Sequence, residues 1–345
     1  MRSGSAKSFS KPTKIFVTGA TGFIGTKLVH ELVKKGHTVH ALSRSTSNRS
    51  GLEHKRIKIV EGDILNRASL ERGMQGCTQV YHLAAYAKNW AKDKDIFHTM
   101  NIVGMRNVFE AAKKVGAKKV VFTSTIVAFG PTRPGVIGDE TMPRITSHYY
   151  TEYEETKALA EREALSYAAK KFPVVIVNPT RVYGPGKMTE GNSVSLMIDQ
   201  YDRGKVPVLL NRGVNIGNYV YVDDLVRGHI LAMEKGKIGQ RYILGGENVS
   251  LERVYRTVDE VSGKRHFQMS LPPALAMVYA REEQLKAEWF GLYPQITPGW
   301  VSTFLQDWVY SCAKAEKELG YTITPFREGV RTTYEWLLEL RRNRK

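Results

Sequence analysis

Cysteine is nearly missing from this chain of 345 residues; Cys77 and Cys312 are the only two. Two thiols so far apart in sequence support neither a disulfide framework nor a zinc site, so a reducing compartment is the default and no metal is expected. Long apolar runs are missing too. The most apolar stretches, "VVIV" and "KVVFTSTIVAFG", fall short of the roughly 20 residues that cross a bilayer and read as buried strands, so no membrane span is expected. The opening "MRSGSAKSFSKPTK" contains no acid and no apolar core. That excludes a secretory signal and leaves a disordered tail, a cloning scar or the stub of an organelle-targeting peptide, in that order. The expected location is cytoplasmic, with an organelle stroma or matrix kept open. Acids are also in deficit, 34 against 51 basic residues, for a net charge of +17. Such a balance raises nucleic acid, an anionic membrane or a phosphorylated ligand as partners. The basic residues fall in short separated runs, "VKK", "HKRIK", "AKKVGAKK" and "RRNRK", without a basic–aromatic repeat. Scattered solvated charge is the simpler reading, and nucleic acid is not expected.

What the chain does have is a rhythm. "KIFVTG" reads as a strand, "FIGTKLVHELVKKG" as an amphipathic helix and "TVHALS" as a second strand. Strands "IKIVEGD", "QVYHLAA", "KKVVFTST" and "PVVIVNPT" then alternate with helices such as "RASLERGMQG" and "NIVGMRNVFEAAKKVG". Continuous apolar strands between helices imply a parallel sheet covered on both faces, hence an α/β protein with a Rossmann-type doubly wound parallel sheet. The rhythm breaks after Gly186. The expected organisation is a tail at 1–12, a nucleotide-binding domain at 13–186, and a smaller, mostly helical C-terminal substrate-binding cap at 187–345. Residues 216–246 return to the first domain.

Between the first strand and the first helix lies "TGATGFIG", residues 18–25. Gly19, Gly22 and Gly25 permit the turn, close approach to a pyrophosphate and tight helix–strand packing, with Thr21, Phe23 and Ile24 in the same turn. The second strand ends "ALSRSTSNR" with no acid to take a ribose 2′-hydroxyl. Arg44 can instead make a charge-assisted contact to a 2′-phosphate, which predicts NADP(H), with Arg49 a weaker second and a plain surface arginine the competing reading. Asp63 and Ile64 end the third strand, where they would meet an adenine. Leu83, Ala84 and Ala85 end the fourth with small residues. Strand carboxyl ends are where an open α/β sheet binds ligands.

"TST", residues 123–125, ends the fifth strand, and "SHYYTEYEETK" follows at 147–157. Tyr149, Tyr153 and Lys157 recur at a spacing of four and share a helix face. A tyrosine hydroxyl titrates near ~10; a lysine ammonium one turn away and a positive nicotinamide ring would favour its phenolate. A hydroxyl from "TST" could hold a substrate oxygen in line while hydride moves at the adjacent carbon.

Taken in order, T-G-x-x-G-x-x-G, G-D, H-x-A-A, the Ser/Thr cluster, Y-x-x-x-K, "NPTRVYGPG" and "YVYVDDL" resemble the extended short-chain dehydrogenase/reductase superfamily, the NAD-dependent epimerase/dehydratase group. The segments "SRSTSNRSGLEHKRIKIVEGD", "AAYAKNWAKD" and "GQRYILGGENVSL" resemble its dihydroflavonol 4-reductase-like branch and the hopanoid-associated sugar epimerases. The resemblance implies Tyr153 as acid/base, Lys157 as its partner and ribose ligand, and Thr125 rather than Ser124 as the catalytic hydroxyl. It also implies Thr123 and Asn101 on the cofactor side, and Pro179, Thr180 and Val182 near the carboxamide. Gly217 stands where sugar epimerases carry a diphosphate-binding arginine, which argues against a nucleotide sugar. Aromatic residues in "YAKNWAKD" and "EEQLKAEWFGLY" suit a hydrophobic carbonyl compound, and Tyr86, Trp90, Ala128 and Tyr149 are the substrate candidates; Trp90 reads equally as packing. The expected activity is NADP(H)-dependent interconversion of a ketone or aldehyde with an alcohol. Epimerisation or dehydration through a transient ketone is the alternative, and a non-catalytic NADP- or RNA-binding protein is a further rival. A homodimer is left open.

Overall fold

The computed structural model describes residues 12–205 and 208–343; nearly all of the expected tail, residues 1–11, lies outside the described residues. The first half alternates as β1 (Lys14–Thr18), α1 (Phe23–Lys34), β2 (Thr38–Ser43), β3 (Ile57–Glu61), α2 (Arg67–Met74), β4 (Gln79–His82), α3 (Asp95–His98), α4 (Gly104–Lys114), β5 (Lys119–Thr123), α5 (Glu152–Ala169) and β6 (Val174–Pro179). The second half runs β7 (Arg181–Tyr183), α6 (Ser193–Asp202), β8 (Val208–Leu210), β9 (Ile216–Tyr221), α7 (Val222–Lys235), β10 (Arg241–Leu244), β11 (Glu247–Ser250) and α8 (Leu251–Ser262). It ends with β12 (Met269–Leu271), α9 (Pro273–Phe290), α10 (Pro298–Phe304), α11 (Ala313–Leu319) and α12 (Phe326–Arg342).

Seven strands form one sheet in the order β10-β6-β5-β4-β1-β2-β3, and all its pairings are parallel. Every residue of β6 is buried, as its run of β-branched side chains requires of a strand covered on both faces. Leu28, Val29 and Leu32 of α1 and Leu225, Val226 and Ile230 of α7 cover one face. Met105, Val108 and Phe109 of α4, with Ala160 and Ala164 of α5, cover the other. On α4 the buried residues Met105, Val108, Phe109 and Ala112 recur every three or four positions, so one stripe faces the sheet. Phe109 meets Phe122 edge-on at 5.8 Å and Phe172 at 4.9 Å between ring centroids; truncating it to alanine would cost about 3–5 kcal/mol. This is the expected doubly wound fold. The chain leaves β1 outward to β3, crosses back to β4, and so opens a crevice at the carboxyl ends of β1 and β4.

Two features of the second half were not expected. β11, β9 and β7 make a separate three-stranded sheet, and β8 pairs with β12. "YVYV" is the strand its sequence implies, but β9 pairs with β7 and β11 instead of returning to the main sheet, so of the expected return over 216–246 it is α7 and β10 that reach the first half. α7 packs on α1, β5 and β6, and β10 extends the main sheet beyond β6 with Tyr242 opposite Val177. No helix among the described residues is long and apolar enough to cross a membrane.

Candidate active site

β1 ends where Gly19 turns with φ +69°, a left-handed conformation that glycine adopts without penalty. The turn is wedged. A Cβ on Gly19 would lie 2.8 Å from the Ala84 backbone nitrogen at the end of β4, and one on Gly25 would lie 2.0 Å from the Gly19 carbonyl oxygen. α1 starts at Gly22 without a side-chain cap, so its first amides are free for an anion. A cavity of about 250 Å³ opens beside them, lined by Gly19, Thr21, Gly22, Ser43, Arg44, Asp63, Ile64 and Leu83–Ala85 among others. Backbone cradle, free amides and cavity together fit a dinucleotide.

Arg44 is exposed at this cavity and has no ion-pair partner among the described residues. Arg49 is committed elsewhere, donating to Ser43 Oγ at 3.2 Å and to Glu61 at 3.0 Å. Asp63 spends one carboxylate oxygen on the Leu65 amide at 2.9 Å, while Ile64 is buried in the core with Ile102 and Met105 and also lines the cavity. Phe23 is buried and lines neither cavity; Ile24 lines the larger one. Asn101 sits in a π-helical turn, Thr99–Val103. Its amide is fully engaged: Oδ1 accepts from the Tyr86 backbone at 2.7 Å, and Nδ2 donates to Thr156 Oγ1 at 3.0 Å and to the Tyr86 carbonyl at 3.4 Å. Asn101 thus ties the loop after β4 to α5 and lines neither cavity.

At the other end of the crevice Tyr153 and Lys157 project from the first turns of α5. Thr151 caps this helix, its hydroxyl accepting from the Glu154 amide at 3.1 Å. Glu154 is buried, bonds Arg144 and accepts from the Tyr150 amide at 2.8 Å. The Lys157 ammonium is 2% exposed and donates to the Thr123 carbonyl at 2.8 Å. Burial lowers its pKa to about 8, with Glu161 pulling the other way. The Tyr153 phenol is pushed up to about 12 by burial, which outweighs a hydrogen bond from Thr125 that pulls it down. In the protein alone, without the nicotinamide ring, desolvation is the largest influence on the phenol, and the nearby ammonium donates to β5. Thr125 is the hydroxyl beside Tyr153, whereas the buried Ser124 Oγ has no hydrogen-bond partner among the described residues. Both line the same cavity with Thr123, Tyr153 and Lys157.

A buried frame that sequence reasoning missed holds this end of β5. Asn178 donates to the Thr125 carbonyl at 3.1 Å and to Glu161 at 2.6 Å, and Arg241 meets Glu161 at 3.2 Å. Glu161 falls one turn beyond Lys157 on α5, a spacing that could have flagged it. His229 sends Nδ1 to the Leu225 carbonyl at 2.8 Å and Nε2 to the Thr123 hydroxyl at 3.0 Å. A carbonyl only accepts, so Nδ1 carries the proton, Nε2 accepts from Thr123, and burial lowers the imidazole pKa to about 4.

The cavity that holds these groups has a volume of about 300 Å³. Pro179, Thr180, Val182, Val194, Trp300, Phe304 and Trp308 make much of its wall, with Lys88, Asn89, Arg181 and Glu190 among its other polar groups. The Arg181 guanidinium lies 4.1 Å over the Phe304 ring, bonds the Tyr219 hydroxyl at 3.2 Å and has no acidic partner among the described residues. Gly217 gives it room, since a Cβ there would lie 2.8 Å from Arg181 Nη1. None of the four substrate candidates lines this cavity. Tyr86 packs edge-on against Phe97, Trp90 against Tyr293, and Tyr149 under the Arg144 guanidinium at 4.2 Å; Ala128 ends a short 3₁₀ turn. Of "EEQLKAEWFGLY", Tyr293 reaches the rim through Glu190 at 2.7 Å, while Trp289 and Phe290 point to solvent. The wall comes instead from "GWVSTFLQDW", with Trp300 and Phe304 on α10 and Trp308 just beyond its end. Among the described residues no cluster of His, Cys, Asp or Glu could hold a metal ion.

A doubly wound sheet with a glycine cradle at its switch point, and a tyrosine, lysine and threonine over one cavity beside it, defines a dinucleotide-dependent enzyme of the extended short-chain dehydrogenase/reductase class. The chain belongs to the NAD dependent epimerase/dehydratase family, whose pattern matches residues 15–245. It is 32% identical to a protein of Synechocystis sp., provisionally named dihydroflavonol 4-reductase, with 93% of each chain covered. It is also similar to the sterol-4-alpha-carboxylate 3-dehydrogenase, decarboxylating, of Mus musculus, at 26% identity over 97% of this chain and 94% of that one. Among solved structures, the UDP-glucose 4-epimerase of Thermus thermophilus in complex with NAD superposes with a TM-score of 0.76 at 25% identity, covering 94% of this chain and 99% of that chain. The chain is thus an enzyme of a nicotinamide-dependent family that spans oxidoreductases, epimerases and dehydratases.

Proposed function

We propose that this enzyme is an NADP(H)-dependent oxidoreductase that reduces a largely apolar ketone or aldehyde to its alcohol, or runs the reverse reaction, with Tyr153 as acid/base. The observation that carries the reading is the convergence of the Tyr153 phenol, the Thr125 hydroxyl and the Lys157 ammonium on one cavity walled by Trp300, Phe304 and Trp308. Glycine cradle, α1 amides and Arg44 would hold the dinucleotide, Arg44 taking the 2′-phosphate. Bound, the cofactor supplies the hydride and, when oxidised, a positive charge beside the phenol. Thr125 orients the substrate oxygen by a hydrogen bond. Tyr153, protonated at neutral pH with its pKa near 12, donates its proton to that oxygen as the carbon is reduced. Lys157, held by Thr123, sets the position of the ribose and the field around the phenol. The apolar wall excludes water from the proton transfer.

Epimerisation is the second reading, favoured by Arg181, a cation without an acidic partner in the cavity wall, and by the named activity of the Thermus relative. The test is a panel of ketones, aldehydes and nucleotide sugars offered with NADPH and with NADH, followed by cofactor absorbance. Net NADPH oxidation on a carbonyl compound is expected, falling by about 10²–10⁴-fold in Tyr153→Phe. Full activity in that variant would remove Tyr153 as the acid. Conversion of a sugar with no net change in cofactor would install the second reading instead.

A further inference from the structure

α9 wears its apolar residues on the outside. Its small residues Ala276, Ala280 and Ala287 are fully buried, the first two against Val301 of α10. Its large ones, Leu275, Val278, Tyr279, Leu285, Trp289 and Phe290, are between 41% and 75% exposed. At about 100° per residue these six fall within one arc of about 140° along the helix. The only other side chains in that arc are Glu282 and Lys286, which neutralise each other at 2.9 Å. Phe267 and Met269 extend the exposed apolar surface before the helix, and Leu292 and Tyr293 after it. Ten of the sixteen exposed large apolar side chains among the described residues lie between Phe267 and Tyr293. Single exposed leucines are ordinary, but a continuous patch of this kind marks an interaction surface.

What covers it follows from charge and composition. A second copy would bring its own +17 to the contact, so pairing like faces is opposed, whereas an anionic surface is attracted. Within the segment the basic Arg265, Arg281 and Lys286 are balanced by Glu282, Glu283 and Glu288, so the attraction is supplied by the net charge of the whole chain and the helix itself contributes its apolar stripe. Trp289, Tyr279 and Tyr293 carry rings with one polar atom, the kind that settles at a lipid headgroup boundary, and Lys286 can extend its ammonium outward. We propose that α9 is an interfacial helix that seats the protein on an anionic phospholipid surface, its six large side chains entering the headgroup–acyl boundary. The helix beneath it, α10, places Trp300 and Phe304 in the wall of the candidate active site, so the seated face backs directly onto the cavity. The inference stands on α9 itself and does not depend on the catalytic reading.

The test is flotation of the full chain with two kinds of vesicle, phosphatidylcholine alone and phosphatidylcholine mixed with phosphatidylglycerol. The chain is expected to float with the mixed vesicles at low salt and to stay down with the neutral ones. The double variant Trp289→Ser, Phe290→Ser should lose binding by about tenfold or more, with an unchanged thermal melt and unchanged NADPH binding. Should that variant fail to fold, Leu275→Ser with Val278→Ser on the same stripe replaces it. Failure of the unmodified chain to float with anionic vesicles overturns the proposal, as does full binding by the folded variants. A dimer in sedimentation that either variant dissolves would assign the stripe to a contact between copies instead.

Discussion

Replacing Lys157 by methionine takes a charge out of the least hydrated part of the site and leaves a chain of similar length. Burial lowers the ammonium from the ordinary lysine value of 10.5 to about 8, with Glu161 already opposing the fall. Each tenfold in proton affinity is about 1.4 kcal/mol, so keeping Lys157 charged at neutral pH costs the folded state about 3 kcal/mol. Methionine forfeits the bond to the Thr123 carbonyl, worth about 1 kcal/mol. Lys157→Met should therefore be more stable than the unmodified enzyme by about 2 kcal/mol at pH 7 while losing turnover. The pH dependence has a definite sign. The folded pKa lies below the unfolded one, so between pH 8 and 10.5 the unfolded chain binds more protons and the stability of the unmodified enzyme rises with pH. The advantage of the variant should shrink across that window and be gone by its upper end. Urea unfolding of both proteins at a series of pH values reads the difference directly. A variant less stable at pH 7, or a difference that does not change with pH, would refute the reasoning that Lys157 is held charged against its environment.

Arg44→Ser should lower the preference for NADPH over NADH by about tenfold to a hundredfold, the loss of one charge-assisted phosphate contact, with little change in NADH kinetics; equal loss with both cofactors in steady-state assays would contradict that role. Gly25→Ala forces a methyl group into the Gly19 carbonyl and should cost about 1–3 kcal/mol in urea unfolding together with most of the dinucleotide affinity; retained affinity by fluorescence titration would count against the cradle. Asn101→Ala leaves the Tyr86 amide without its acceptor and should cost about 1–3 kcal/mol, with faster hydrogen exchange at Tyr86 by mass spectrometry as its local signature.

The first half of the chain was open to reading because both of its signals are local. A parallel strand buried on two faces is an apolar run, as in "VVIVNP", and its helices carry period-3.6 stripes. Gly19, Gly22, Gly25, Tyr153 and Lys157 occur in motifs whose spacing is itself the chemistry. The cavity wall was another matter. Trp300, Phe304 and Trp308 come from far along the chain, and spacing alone gives no clue to which side of α10 faces the site. Trp90 and Trp289 have the same residue type and went elsewhere, one against Tyr293 and one to solvent. The Tyr153 phenol is a related case: the lysine lies one turn away as its spacing implies, but in the protein alone burial dominates its proton affinity, and no sequence pattern reveals the depth of burial.

The position of β10 bears on how the enzyme is made. The strand that finishes the main sheet beyond β6 is separated from it by β7, α6, β8, β9 and α7. As the chain leaves the ribosome, β6 emerges with one edge unpaired and keeps it until Leu244 has been synthesised. The half that carries the glycine cradle and Tyr153 therefore cannot complete its sheet by itself, and the interval before β10 arrives is when that open edge invites pairing with a neighbouring nascent chain.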